Sequence, residues 1–347
     1  MSARAARWRL LVALAPLVAV LAALAAGAIF IAGIGERPLE IYALLFREAL
    51  GTGYGLGQTL FRATPLLFTG LAVALGFRAG LFNIGVEGQM VLGGFAAALV
   101  GAYVPLPGVA LALAALAAAA LAGGAWGALP GALKARFGAH EVINTIMLNF
   151  IAFSIVSYAG RTLFENATVR TREIAPAAEL PRLETMLPAL HGSPVNLTLP
   201  IALLLALATG VLLFRTRLGY ELRAVGLNAP AAEYGGIAIG RTQALAMTLS
   251  GALAGLGGTN FVLGYKHYFE LGFSGGAGFI GIAVALLGRN HPLGVIVAAL
   301  FFGALSYGGL VVNQRVPREL VEVLEALVIL FAISAQPLLE RAARRWS

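Results

Sequence analysis

Cysteine is absent from the 347 residues, and so is aspartate: all sixteen acidic residues are glutamate. Without cysteine there are no disulfides, iron–sulfur clusters or thiolate zinc sites, and the redox compartment stays open. Lysine occurs only at Lys134 and Lys266, behind Leu133 and Tyr265. The Gly-Lys-Ser/Thr end of a phosphate-cradling loop therefore cannot be built, and the chain cannot be its own ATPase. The histidines His140, His191, His267 and His291 form no i, i+4 pair. With no nucleophile–base arrangement legible, bond-breaking chemistry is not expected. Charge is scarce too: 12% of residues are charged, about half the roughly 25% of soluble domains, which argues against a soluble enzyme. A net charge of +8 would suit nucleic acid in a soluble protein, but no stretch interleaves aromatic and basic residues and no finger spacing occurs. Nucleic acid is not an expected partner.

What the chain has instead is apolar length. Hydrophobic residues make up 59%, the mean hydropathy is +0.87, and apolar runs recur near the roughly 20 residues that cross a bilayer. The first, Leu10 to Ile34, follows Arg4, Arg7 and Arg9 as a signal peptide would, but it exceeds the roughly 7–15 residues of a signal core and reads as an uncleaved first helix. Further spans read at about 59–77, 84–104, 108–133, 141–160, 198–214, 241–264, 274–288, 292–312 and 319–337, ten helices in all. With the N-terminus inside, Arg78, Lys134, Arg136, Arg215, Arg217, Arg223, Arg241, Arg289, Arg341, Arg344 and Arg345 all fall on the inner side, the expected positive-inside bias. An even count then returns both termini to the cytoplasm. The loop at about 161–197, with Pro176, Pro181, Pro188 and Pro194, falls outside; the loop at about 215–240 falls inside. Gly51–Gly57 superficially resembles a dinucleotide fingerprint but follows no strand, and reads as a flexible outer loop. Small residues such as Leu121-Ala122-Gly123-Gly124-Ala125 let helix backbones approach closely, although a GC-rich genome would explain part of this composition.

Three polar, glycine-rich islands interrupt the pattern. In Phe82-Asn-Ile-Gly-Val-Glu-Gly-Gln-Met90, Gly85 and Gly88 allow a helix break while Asn83, Glu87 and Gln89 supply hydrogen-bonding groups. Either this island lines a cavity at membrane depth, where broken helices are tolerated, or it is a plain inner turn. Gly281-Ile-Ala-Val-Ala-Leu-Leu-Gly-Arg-Asn-His-Pro-Leu-Gly294 reads as an inner turn with Arg289 snorkelling, and upstream Phe273-Ser-Gly-Gly-Ala-Gly-Phe279 offers aromatic faces and open backbone. The third island is the inner loop Arg217–Ile237. Here Asn228 caps, and Pro230 opens, a short helix over about 229–237 whose Ala231, Ala232 and Tyr234 form a small docking surface; an ordinary solvated loop is the alternative. Glu87, Glu141, Glu322 and Glu325, the carboxylates an ion-coupled carrier would need, all sit near span ends.

The Phe82–Gln89 string, the Leu222-Arg-Ala-Val-Gly-Leu-Asn228 loop and the Gly281–Gly294 string, in this order, resemble the permease subunits of ABC importers for nucleosides. These belong to a superfamily that also carries ribose-type sugars and branched-chain amino acids. The resemblance covers about residues 55–338, and the long outer loop is similar to that of the larger of two paired nucleoside permeases. It implies an all-α polytopic fold of the vitamin B12 and ribose importer type, a single transmembrane permease domain over 1–347 in the bacterial plasma (inner) membrane. It also implies a separate ABC ATPase subunit that consumes the ATP, a second homologous permease forming a heterodimer with this chain, and a periplasmic or lipoprotein nucleoside-binding protein. No cofactor is expected in this chain. In ribose-type relatives an Asp-Leu-Ser-Val-Gly string stands where Asn83 to Glu87 stand here, so the island is expected to contribute to selectivity. Asn83, Glu87, Gln89, Asn149, Asn260, Phe261 and Phe273 are the candidate substrate pathway. Arg223, Gly226, Asn228, Ala231, Ala232, Glu233 and Gly235 are the candidate ATPase-coupling residues. One departure is that the widespread Glu-Ala-Ala coupling pattern reads Ala231-Ala232-Glu233 here. A sugar or branched-chain amino-acid permease of the same superfamily, or an ion-coupled carrier, is the alternative.

Overall fold

The computed structural model describes residues 14–165 and 168–345. Arg4, Arg7, Arg9 and the start of the first apolar run lie outside the described residues, as do the side chains of Arg341, Arg344 and Arg345. The described chain is helical: α1 (Ala15–Gly33), α2 (Pro38–Leu50), α3 (Gly53–Arg78), α4 (Val86–Tyr103), α5 (Val109–Phe137), α6 (Glu141–Leu163), α7 (Thr198–Arg215), α8 (Arg217–Leu227), α9 (Ala229–Tyr234), α10 (Ile239–Gly257), α11 (Ala277–Leu287), α12 (Pro292–Val312) and α13 (Arg318–Arg345). A short turn, Thr259–Phe261, and a π-helix, Val262–Lys266, prolong α10. Among the described residues, eight helices are long and apolar enough to cross a membrane, counting α10 with its extension. The short α11 and the final α13 meet the two remaining expected spans, so an all-α polytopic architecture of about ten spans stands.

Three expectations need correction. The segment after α1, left between the first two expected spans, contains α2: its apolar face (Ile41, Leu45, Ala49) repeats at i, i+4 and i+8, but thirteen residues are too short to register as a span. Gly51–Gly57 is not a flexible loop. The Thr52 side chain caps α3 by accepting the Gly55 N–H at 2.9 Å, and the glycines that follow sit against Glu48, Ala189 and Ser193 so closely that a Cβ would collide. The inner loop folds into two helices rather than one, α8 capped by Thr216 and α9 by Asn228, whose Oδ1 accepts the Ala231 N–H at 3.1 Å.

Small residues do pack the bundle. Gly123 and Gly127 of α5 face Gly251 and Gly255 of α10 so closely that a Cβ on any of them would strike the partner backbone. Without a hydrophobic drive between helix and lipid, such close approach supplies the association through van der Waals contact. The long loop after α6 is pinned rather than free: Leu180 N–H donates to Leu263 C=O at 2.8 Å and Thr171 N–H to Phe269 C=O at 2.9 Å, with Ile174, Ala178 and Leu180 buried beneath.

The depth of the first island follows from its partners. The chain turns at Ala79–Gly80, with Gly80 at φ +72°, and then climbs back without helix. Asn83 Nδ2 donates to Ser250 Oγ at 2.9 Å, and Ser250 in turn donates to Ala72 C=O at 2.6 Å. Ala72 lies six residues, about 9 Å of helix rise, inward from Arg78. The turn and the cavity-depth break are thus both real and adjacent, and α4 begins inside the bundle. So does α11. Its first carbonyl, Ala277 C=O, accepts from the Thr69 hydroxyl at 3.1 Å, while just beyond its end Asn290 C=O accepts from Arg78 Nε at 2.9 Å. Eleven residues rise about 16 Å, half a bilayer core.

Candidate functional site

Two helix N-termini therefore open at mid-bundle, where unsatisfied N–H groups are costly and favour an anion. Helix α11 has no cap of its own, since Gly276 precedes it at φ +82°. The partner is Glu87, in the first turn of α4: its Oε2 accepts the Gly278 N–H at 2.6 Å and its Oε1 accepts the Ser274 hydroxyl. Gly278 permits this meeting, because a Cβ there would overlap the Glu87 backbone. Glu87 is 3% exposed and ties the first turn of α4 to the first turn of α11.

Two cavities flank this tie and share Ser274 and Gly275 as a common wall. One, of 360 Å³, runs past Glu87, Val91, Phe153 and Phe279. The other, of 530 Å³, opens between α3, α11, α12 and α13, with Arg62, Phe261, Phe273, Ser306 and Glu325 on its walls and Arg318 and Glu322 at its mouth. Phe261 and Phe273 meet edge to face at 5.5 Å. Both volumes fall in the roughly 300–1,000 Å³ range of small-molecule pockets. The wall itself is glycine-hinged: Gly272, Gly275 and Gly276 all carry positive φ, and a Cβ on any of them would meet open space.

Residues 55–333 match the family model described as "Branched-chain amino acid transport system / permease component". The chain belongs to that permease family. It is 41% identical to the guanosine ABC transporter permease NupP of Bacillus subtilis, over 93% of each chain. It is 38% identical to the glucose ABC transporter permease TsgB13 of Haloferax volcanii, over 92% of this chain and 87% of that one. It is 36% identical to the nucleoside ABC transporter permease NupB of Lactococcus lactis, over 92% and 90%. No solved structure matches it.

In this permease the seven pathway candidates separate into two groups. Glu87, Phe261 and Phe273 reach cavity walls. The four amides line neither of these two cavities; they are buried and hydrogen-bonded within the bundle. Asn83 exchanges hydrogen bonds with Gln89 at 2.9 and 3.2 Å and accepts the Gly85 N–H at 3.0 Å. Asn149 accepts the Gly88 N–H at 2.9 Å and donates to Ile84 C=O at 3.0 Å, closing the backbone groups that the helix break leaves open. Asn260 Nδ2 donates to Phe61 C=O at 3.2 Å. Pro65, inside α3, has no N–H to offer that carbonyl four residues back, so Asn260 replaces the bond that proline removes.

Sequence reasoning passed over Arg62, Ser274, Ser306 and the position of Glu325. Arg62 carried a signal, because an ionisable residue inside an expected span is a functional candidate by default. It also passed over Gly272-Phe273-Ser274-Gly275-Gly276, which has Gly-x-Ser-x-Gly spacing. No strand leads into that segment, and no histidine lines either cavity that Ser274 faces. Its hydroxyl serves Glu87 instead.

The coupling candidates gather at the opposite end of the bundle. Gly226 of α8 packs on Gly80 and the Arg78 carbonyl so tightly that no side chain fits. Arg78 and Arg223 lie over the Phe214 ring at 5.6 and 5.5 Å, around a cavity of 590 Å³ that Arg289 also lines. Asn228 caps α9 and Ala232 is buried beneath it, whereas Ala231, Glu233 and Gly235 are exposed. Leu227, at the end of α8, and Tyr234, at the end of α9, are 88% and 97% exposed, two apolar side chains turned outward.

Proposed function

We propose that this chain is the membrane-spanning subunit of an ABC importer that passes nucleosides inward across the bacterial plasma (inner) membrane, with its arginine-bearing end and both termini in the cytoplasm. The observation that carries the substrate is the 41% identity to a guanosine permease across 93% of both chains. The 38% identity to a glucose permease keeps a simple sugar as the second reading.

In this reading a separate ATPase subunit docks on α8 and α9, where Leu227 and Tyr234 offer apolar contact and Arg217 and Arg223 add positive charge. A second permease and an external nucleoside-binding protein complete the importer, the partner permease being a homologue rather than a copy. The chain itself holds no cofactor and forms no bond; ATP is spent by its partner. Motion of α8 has a short route inward. Gly226 bears on the Ala79–Gly80 turn, that turn leads into the Asn83–Glu87 climb, and Glu87 holds the start of α11 and the glycine-hinged wall between the cavities. A ligand that prefers one arrangement of this wall, and an ATPase that prefers the other, is what alternating access requires.

The test is uptake of radiolabelled guanosine, adenosine, glucose and leucine into membrane vesicles holding the assembled importer and its binding protein, with and without internal ATP. ATP-dependent nucleoside uptake, resisted by glucose and leucine, is expected. Uptake of glucose alone would establish the sugar reading. Gradient-driven uptake without ATP would overturn the importer.

A further inference from the structure

The 530 Å³ cavity holds charges that the fold does not use. Arg62 projects from α3, and among the described residues its one hydrogen bond is a long 3.4 Å contact to the Ser306 hydroxyl. Its Nε is buried with no partner. Glu325 enters from α13, half-buried, and makes no hydrogen bond or ion pair among the described residues. The two groups lie close enough to feel each other's charge, yet they form no salt bridge. Nearby Arg318 and Glu322 show that pairing is available at the mouth, where they bridge at 3.0 Å. Unpaired charges in an apolar bundle are costly unless something polar completes them, and in membrane proteins they mark substrate paths.

We propose that Arg62 and Glu325 form the recognition site for the nucleobase edge, and that they select a 2-amino-6-oxopurine. The inference rests on the nucleoside reading above. A carboxylate accepts well from adjacent N–H groups, and the planar guanidinium donates in a fork to a carbonyl oxygen and a neighbouring ring nitrogen. A guanine-type base presents both features: the N1–H and 2-amino donors on one edge, the O6 and N7 acceptors on another. Adenine lacks the carbonyl and hypoxanthine lacks the 2-amino group. Phe261 and Phe273, at the inner end of the same cavity, supply aromatic faces on which a base can stack.

The experiment uses the assembled importer in vesicles and measures KM and maximal rate for guanosine, inosine and 7-deazaguanosine in wild type, Glu325→Gln and Arg62→Lys. Co-purification of the ATPase subunit reports assembly of each variant. Wild type should favour guanosine over inosine by about tenfold or more, the worth of one charge-assisted hydrogen bond. Glu325→Gln should raise the guanosine KM by about tenfold with inosine little changed, so that the preference collapses. Arg62→Lys keeps the charge but loses the fork, and should erase the preference for guanosine over its 7-deaza analogue; it tests the other wall should Glu325→Gln fail to assemble. Assembled variants that transport guanosine with wild-type preferences would overturn this site while leaving the nucleoside importer standing. A wild-type importer that takes up no nucleoside would remove the function and the site together.

Discussion

The amides around Asn83 are buried and the charges of Arg62 and Glu325 half-buried in the same apolar bundle, yet one set is saturated and the other is not. Asn83, Gln89, Asn149 and Asn260 spend their hydrogen-bonding groups on backbone that a break or a proline has left open, or on each other and Ser250. Arg62 keeps a buried Nε without a partner and Glu325 keeps its whole carboxylate. Polarity at membrane depth therefore has two meanings, and residue type does not separate them. A saturated group stitches irregular backbone together; an unsaturated one beside open volume waits for a ligand. Glu87 stands between the two, saturated by Gly278 and Ser274 yet lining a cavity.

That intermediate position carries the largest expected effect. Glu87→Ala removes the anion from the start of α11 and leaves a buried N–H and a hydroxyl unpaired, so ATP-driven uptake should fall about a hundredfold, with the ATPase still co-purifying. Glu87→Gln, which keeps one acceptor, should recover part of it. Gly278→Ala should resemble Glu87→Ala, because the added Cβ drives α4 and α11 apart. Wild-type uptake in Glu87→Ala would break the comparison at its centre. The next effect separates stitch from site: Asn149→Ala opens the Gly88 N–H and Ile84 C=O and should cost about 1–3 kcal/mol of stability, read as a lower midpoint of unfolding in detergent. The protein that survives should keep its wild-type KM, whereas an altered substrate preference would make Asn149 a site residue after all.

Eight of the ten expected spans were legible as long apolar helices because bilayer thickness leaves little freedom: a run of about 20 apolar residues has few other places to go. Helix α2 was missed because its thirteen residues bury only every fourth position, a pattern that hydropathy averaging erases. The island at Asn83–Gln89 announced itself by glycine and amide content, but its role did not. Whether an amide faces a pore or a carbonyl depends on which residues lie opposite, and Ser250, Ile84 and Phe61 are far away in sequence. Pro65 was the available clue to Asn260, since a proline within a span obliges some donor to answer the carbonyl four residues back. Arg62 was the clue to the charged cavity. Its counterpart Glu325 could not be paired with it from spacing alone, because α13 and α3 come to line one cavity only in the folded bundle.

The comparison extends to the glycines, which are also of two kinds, tightly packed and openly hinged. Gly226 is the packed kind. Gly226→Val would force α8 off the Ala79–Gly80 turn, so ATP hydrolysis should persist while uptake per ATP falls roughly tenfold, within the usual range of a coupling energy. Equal losses of hydrolysis and uptake would instead mean that the ATPase no longer docks.

Gly275, in the wall between the two cavities, is the hinged kind and should show the smallest effect. Its φ of +54° lies in the left-handed region, and a Cβ there would touch nothing within 4 Å. Gly275→Ala therefore meets no steric obstacle and costs about 1 kcal/mol of backbone strain in the present arrangement. If the wall keeps this conformation throughout transport, stability should fall slightly and uptake hardly at all. If the wall must move, alanine favours whichever arrangement has negative φ at this position, and the maximal rate should change several-fold while stability changes little. Measuring the unfolding midpoint and the maximal uptake rate on the same preparation distinguishes these outcomes. The moving wall is the one expected here, because three glycines in five residues with open space around them provide the freedom that the saturated stitches around Asn83 and Asn149 deny their own backbone.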